Sequence, residues 1–362
     1  MKITKIQGEL CKNARFLWEE VFHEDSVQFT DYYFQNKAEK NIGYVIGQVP
    51  YDAMMFRTPY RIQIGKRQRE ISYIVGVATR KEYRHRGCMR ELLMHSFREM
   101  YEEKMPFAFL MPANPAIYEP FDFRYIYERD VWELKGSFKE NINIDQLDGL
   151  YSVRNLHEKF PQLQILHLLA EFANGYLKER YNIYVHRDVS YYEMQLKESK
   201  AQNGDIYVFF ENGEIKAFFL YAKEEEIYIQ EVMEEKEGIL DFLQKAEKKK
   251  PIIMARIIHL EEMMKLVCSK ENTSIMIEIE DELITENKGI YWWEITPKGS
   301  KVTKIKSKDN AVVDMKAAEK ETKILKEKIK EGEMEGMVPE VSMHIRELVS
   351  WILTGVFINE IV

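Results

Sequence analysis

Arg84, His85, Arg86 and Gly87 stand in a row where a β-rich run gives way to a helical period. Unpaired backbone N–H groups and the helix dipole at such a turn favour a phosphate, and a glycine lets the backbone approach it closely. The chemistry this suggests is the holding of a pyrophosphate. The run is neither GxxxxGK[ST] nor GxGxxG, so a P-loop nucleotidase and a Rossmann dinucleotide enzyme lose their usual warrant. Gly76 interrupts the preceding β run. Interior glycine marks a bulge that splays a strand from its neighbour and opens a slot, and backbone N–H groups at such a bulge near Val77 could polarise a carbonyl as an oxyanion hole.

Tyr118 lies in Asn114-Pro-Ala-Ile-Tyr-Glu-Pro-Phe-Asp-Phe123, just beyond the next apolar run. A tyrosine hydroxyl is a proton donor that stays protonated at neutral pH. The chain end, Phe357 to Val362, is apolar and follows a helical pattern, which is compatible with burial. The other candidates read as structural. Eight histidines form no HxxxH or HExxH pair, so His23, His157, His167, His186, His259 and His344 are assigned to surface or core, and no metal is expected. Cys88 sits at a helix N-terminus beside arginines, where a thiol pKa is lowered, but is not assigned as a nucleophile. Glu24 and Asp25 could hold a cationic acceptor but read first as an exposed capping pair, and the basic run Lys298 to Lys308 reads as a solvated strand face.

The elements that must position these residues follow from periodicity. Residues 13 to 37 predict two short helices broken at Glu24-Asp25-Ser26. Ile42 to Ile46, Ala53 to Ile64 and Ile71 to Thr79 predict an antiparallel meander. From Met89 the apolar residues recur on one helical face through Tyr101, and Phe107 to Met111 is a buried strand, completing a βαβ unit with parallel strands. Residues 145 to 180 read as helices, and Asp205 to Phe210 and Glu214 to Ala222 flank the hairpin signal Asn212-Gly213, with Ile227 to Met233 continuing that sheet. Glu235 to Lys250 reads as a charged helix. Ile252 to Leu260, Ser274 to Glu280, Gly289 to Ile295 and Lys298 to Lys308 predict strands, and Met315 to Lys330 and Met343 to Leu353 helices. The fold class expected is α/β and α+β.

With 362 residues, 45% apolar and 12% aromatic, the chain is long and apolar enough for two or three cores. Its 52 basic and 60 acidic side chains leave a formal charge of −8, which repels phosphate backbones and suits cationic small molecules or lysine-rich partners, so nucleic acid is not an expected ligand. Three cysteines without paired spacing suggest neither disulfides nor a zinc site, and a reducing cytoplasm fits them. No apolar stretch predicts a signal peptide or a membrane span.

The run Val77-Ala-Thr79 followed by Tyr83-Arg-His-Arg-Gly-Cys-Met89 resembles the acetyl-CoA motif of the GNAT acetyltransferases. Arg84 and Gly87 match its Arg/Gln-x-x-Gly-x-Gly/Ala turn, and Met89 departs from it in the last position. That departure, with the Arg-x-Arg-Gly form, is similar to the Eis (enhanced intracellular survival) branch. The resemblance implies tandem GNAT folds, a catalytic one over residues 1–140 and a degenerate one over 141–250, followed by a sterol-carrier-protein-like α+β domain over 251–362. It implies that Val77, Ala78 and Thr79 line acetyl-CoA with backbone groups. By the same resemblance Arg84, His85, Arg86, Gly87, Cys88, Met89 and Arg90 bind the pyrophosphate, and Ala113 and Asn114 contact the pantetheine end. Tyr118 would be the general acid that protonates the departing thiolate, and the α-carboxylate of Val362 the general base. A terminal carboxyl of pKa about 3.5 is a poor base for an ammonium, so burial, the cofactor or a water must assist it. The implied reaction is acetyl transfer from acetyl-CoA to a primary amine (aminoglycoside, polyamine or lysine) by direct attack, in a homo-oligomer, a hexamer. The competing reading is a CoA-sensing or lipid-binding module with a residual transferase site. It would predict loss of Tyr118 and of the apolar terminus, and the sequence keeps both.

Overall fold

The computed structural model describes residues 1–139, 142, 152–156, 163–223, 226–305 and 341–360. β1 (Ile3–Gln7) leads through a 3-10 turn to α1 (Arg15–Val21) and α2 (Val27–Asn36). The break between the helices falls at Ser26, whose hydroxyl accepts the Phe29 amide at 3.1 Å and caps α2. β2 (Ile42–Ile46), β3 (Ala53–Ile64) and β4 (Arg67–Thr79) form the antiparallel meander. α3 (Cys88–Glu102) buries Leu92, Leu93, Phe97 and Met100 on one face, and β5 (Phe107–Leu110) returns parallel to β4, closing the βαβ unit. α4 (Pro115–Tyr118), β6 (Arg124–Arg129) and β7 (Trp132–Leu134) complete this part.

The middle of the chain carries β8 (Ser152–Asn155), α5 (Leu163–Arg180), β9 (Ile183–Val185), α6 (Val189–Ala201), β10 (Asp205–Glu211), β11 (Glu214–Lys223), β12 (Ile227–Glu234) and β13 (Leu243–Lys245). The hairpin stands as expected. Asn212 at φ +53° and Gly213 at φ +84° supply the two left-handed residues of a two-residue turn. Two expectations are corrected. Within 145–180 the described Ser152–Asn155 segment is a strand paired with β10, because ladder pairing there overrides local helical preference. Glu235 to Lys250 is no helix: Ile239, Leu240, Phe242 and Leu243 are clustered rather than helically spaced, and they turn together into a small core while β13 pairs with β7.

The last third comprises β14 (Lys250–Ile257), α7 (Leu260–Met264), β15 (Thr273–Glu280), β16 (Gly289–Thr296), β17 (Gly299–Ile305), β18 (Val341–His344), α8 (Ile345–Ile352) and β19 (Val356–Phe357). β15 to β18 make a sheet of their own, ordered β17-β16-β15-β18. The helix expected at 315–330 lies outside the described residues. β14 does not join that sheet. It runs between β5 and β6, antiparallel to both, so the segment expected to open the third domain is a strand of the first sheet. Its apolar run from Ile252 to Ile258, broken only by Arg256 and buried throughout, is what a strand covered on both faces requires. β19 lies parallel to β9, and β9 pairs with β3. The chain end is therefore laced through the middle unit onto the first sheet. Among the described residues no helix is long and apolar enough to cross a membrane.

Candidate active site

In the β3–β4 ladder Met54 faces Ala78 and Phe56 faces Val75, so Gly76 and Val77 stand opposite Met55 alone. This is the bulge that Gly76 predicts. Gly76 has φ +62°, and a Cβ there would lie 2.6 Å from the Trp18 ring, so the position requires glycine. On its other side β4 pairs with β5 only at Ser72 and Tyr73. Past Tyr73 the two parallel strands part, and the edge carrying Val77, Ala78 and Thr79 is left without a ladder partner on that side. Ala78 is buried, whereas Val77 and Thr79 are half-buried.

After β4 the chain turns through Arg80, which is tied to Glu20 at 3.1 Å, and Arg84, whose Nε donates to the Thr79 carbonyl at 3.1 Å. His85 (φ +61°) and Gly87 (φ +81°) are both left-handed, and Gly87 immediately precedes α3 without any side-chain cap. The first amide bonded back into the helix is that of Glu91, to the Gly87 carbonyl at 3.0 Å. The N–H groups of Cys88, Met89 and Arg90 therefore have no intrahelical acceptor. A Cβ on Gly87 would meet nothing within 4 Å, so the approach is open, and Arg84, His85, Arg86 and Arg90 are all exposed around it. The turn is a cationic, amide-lined concavity that can hold a pyrophosphate. Cys88 is buried beneath it, its thiol toward the Tyr83 carbonyl at 3.7 Å.

Across the gap, Ala113 and Asn114 are exposed at the start of α4. The Asn114 side chain accepts the Ala116 amide at 3.0 Å, so it is committed to capping α4, with Pro115 at the first helical position. That helix delivers Tyr118, which is buried against Phe123. Burial pushes the Tyr118 hydroxyl up to about 12, so it remains a proton donor across the neutral range.

Three groups that sequence reasoning missed complete the surroundings. Tyr73 is the last residue of the parallel ladder. Burial raises its hydroxyl well above the ordinary range, and the charges of Glu360 and Glu198 add to the effect. Glu198 of α6 forms a buried ion pair with Lys37 at 2.6 Å and accepts the Tyr32 hydroxyl at 3.0 Å. Glu360, fully enclosed, accepts the Tyr191 hydroxyl at 3.0 Å, and burial pushes its carboxyl up to about 7. No sequence pattern marks these residues, since Tyr73 and Glu360 lie 287 positions apart. Val362 lies outside the described residues. Ile358, Asn359 and Glu360 are buried, and Glu360 meets Tyr191. Among the described residues no three His, Cys, Asp or Glu side chains come together as metal ligands would.

Residues 2–126 match the family model described as an acetyltransferase (GNAT) domain. This part of the chain is a GNAT acetyltransferase domain. The protein is accordingly an acyltransferase, and domains of this family use acetyl-CoA and act on amines. The whole chain is also similar in fold to solved structures. A GCN5-related N-acetyltransferase from Anabaena variabilis aligns with a TM-score of 0.70 at 13% identity, over 97% of this chain and 90% of that one. A probable N-acyltransferase from Enterococcus faecalis aligns with a TM-score of 0.66 at 14% identity, over 84% and 85%. Eis1 from Mycobacterium abscessus aligns with a TM-score of 0.62 at 11% identity, over 98% and 90%. At these identities the likeness is one of fold. No curated protein sequence is significantly similar to this chain.

Proposed function

We propose that the protein transfers an acetyl group from acetyl-CoA to a primary amine by direct attack, with Tyr118 as general acid and the α-carboxylate of Val362 as general base. The reading rests on one observation above all: a buried tyrosine that keeps its proton stands just past the point where β4 and β5 part. Pyrophosphate binds at the Arg84–Arg90 turn, and the pantetheine arm runs along Val77, Ala78 and Thr79 toward Ala113. The bulge amide near Val77 polarises the thioester carbonyl. The amine nitrogen bonds to the acetyl carbon, the C–S bond breaks, Tyr118 gives its proton to the departing thiolate, and the amine proton passes to the terminal carboxylate. Ile358, Asn359 and Glu360, the last described residues, are buried, which supports the reading.

Aminoglycosides, polyamines and protein lysines all suit the formal charge of −8. Release of thiol from acetyl-CoA, followed over a panel of these amines, tests the reading. No thiol release with any amine from a protein that binds acetyl-CoA sinks it. Full activity in a chain extended beyond Val362 removes the terminal carboxylate from the mechanism. The same reading proposes a homo-oligomer, a hexamer, which sedimentation measures, and a division of the chain into units of residues 1–140, 141–250 and 251–362, the last sterol-carrier-protein-like apart from β14, which joins the first sheet.

A further inference from the structure

The chain end has two sides. Glu360 turns to Tyr191, while Phe357 and Asn359 line a separate cavity of about 300 Å³ bounded by β6, α5 and β12. Its walls are aromatic, formed by Tyr127, Trp132, Tyr176, Tyr181 and Phe357. Such a volume, with rings around a few fixed polar groups, has the make-up of a small-ligand site.

Arg129 lines the same cavity and is 5% exposed. Among the described residues its side chain makes no hydrogen bond and no ion pair. The guanidinium lies 4.8 Å over the Tyr228 ring, and Nη1 is buried without a partner. A buried cation left in this state is costly, and an anionic ligand would relieve it. A second unmet atom faces the cavity. Asn359 gives its Nδ2 to the Gln230 carbonyl at 2.8 Å, which leaves Oδ1 buried and unpartnered.

The remaining charges of the lining separate into engaged and free. Glu231 is held by Arg187 at 2.9 Å, and Asp130 by Lys245 at 2.7 Å. Glu234, half-buried, accepts the Leu240 amide at 3.2 Å, and neither it nor the exposed Glu237 has a cationic partner among the described residues. The cavity thus offers one buried positive group, two negative groups at its mouth, and rings between them.

The geometry points to this cavity as a binding site for a small zwitterionic amino compound of the aromatic α-amino-acid class. Its carboxylate meets Arg129, its ammonium meets Glu234 and Glu237, and its ring lies among the aromatic walls. The cavity shares Phe357 and Asn359 with the segment that carries Glu360.

Three probes test the assignment by calorimetric titration and thermal melting of the full chain: L-phenylalanine, phenethylamine, which lacks the carboxylate, and 3-phenylpropionate, which lacks the ammonium. L-phenylalanine is expected to bind and raise Tm, with each truncated probe about tenfold weaker or worse. R129M, which replaces an unpaired buried charge with an apolar stem, is expected to lose L-phenylalanine binding while melting at or above the parent Tm. E234Q/E237Q is expected to weaken L-phenylalanine and leave 3-phenylpropionate unchanged. The assignment is overturned if L-phenylalanine does not bind at millimolar concentration, if R129M binds it as well as the parent does, or if all three probes bind alike. None of these readouts requires acetyl-CoA, so the outcome is independent of the transferase reading.

Discussion

Tyr191 on α6 donates its hydroxyl to the carboxylate of Glu360 at 3.0 Å, joining the middle unit to the chain end across 169 residues. The carboxylate is 1% exposed, and burial pushes it up to about 7, with Glu231 raising it further and Arg187 opposing. In the unfolded chain a glutamate titrates near 4.3. Between these two values the folded protein holds a proton that the unfolded chain has released, so stability falls as pH rises through that window.

The expected size of this effect is about 3 kcal/mol between pH 4.5 and 7, present in full on the acid side and lost above 7. Denaturant unfolding of the parent and of Glu360→Gln, measured at intervals across that range, isolates it. The parent should lose stability relative to the variant as pH rises. Parallel curves would show that Glu360 does not titrate in the window.

Tyr118→Phe removes a hydroxyl that makes no hydrogen bond among the described residues. Folding stability should therefore change by no more than about 0.5 kcal/mol. Turnover should fall by about 10² to 10⁴ if the hydroxyl is the general acid, with acetyl-CoA affinity unchanged. Calorimetric binding of CoA and the rate of thiol release separate the two effects. A variant that binds CoA less tightly in proportion to its lost rate would make Tyr118 a binding residue instead.

What the sequence disclosed and what it hid divide along physical lines. The β4–α3–β5 unit was legible because its period switches sharply from strand to helix and because Gly76, Gly87 and Asn114 each mark a local backbone event. Gly76 and Gly87 carry positive φ, and Asn114 caps α4 rather than waiting for a ligand. β14 was hidden because a buried apolar strand has no alternation that records its partner, and nothing in residues 250–257 indicates pairing with β5 and β6. Glu198, Arg187 and Glu360 were hidden for a related reason. A charged residue inside a helix or a terminal segment reads as solvated until tertiary contacts enclose it, and those contacts come from chain segments that sequence spacing cannot bring together.

Gly76→Ala tests whether the bulge is required. The new methyl would have to adopt φ +62° and sit 2.6 Å from Trp18, so a loss of about 2–3 kcal/mol in unfolding free energy is expected from strain and overpacking together. KM for acetyl-CoA should rise as well, because the displaced Val77 amide belongs to the proposed cofactor edge. Retention of parent stability would mean that β4 can pass this point without the left-handed residue.

Arg256 and Asp281 form an ion pair at 2.8 Å in which both side chains are fully enclosed, and Asp122, four residues after Tyr118, lies 3.7 Å from the same guanidinium. The pair joins the turn after β15 to β14 and to the segment that follows α4. Its two partners differ in what each would keep if the other were removed. Asp281 would still accept the amides of Leu283 and Ile284 and the side chain of Asn287, at 3.0, 2.9 and 2.9 Å. Arg256 would keep the Ile257 carbonyl at 2.6 Å, the Phe97 ring at 5.1 Å and the more distant Asp122. Asp281→Ala should therefore destabilise by about 4 kcal/mol and Arg256→Met by about 2 kcal/mol, with the double variant well short of their sum. Denaturant unfolding of the three variants measures the cycle. Equal single losses would show that the amides contribute nothing to compensating the buried Asp281, and additive losses would show that the two residues do not act as a pair.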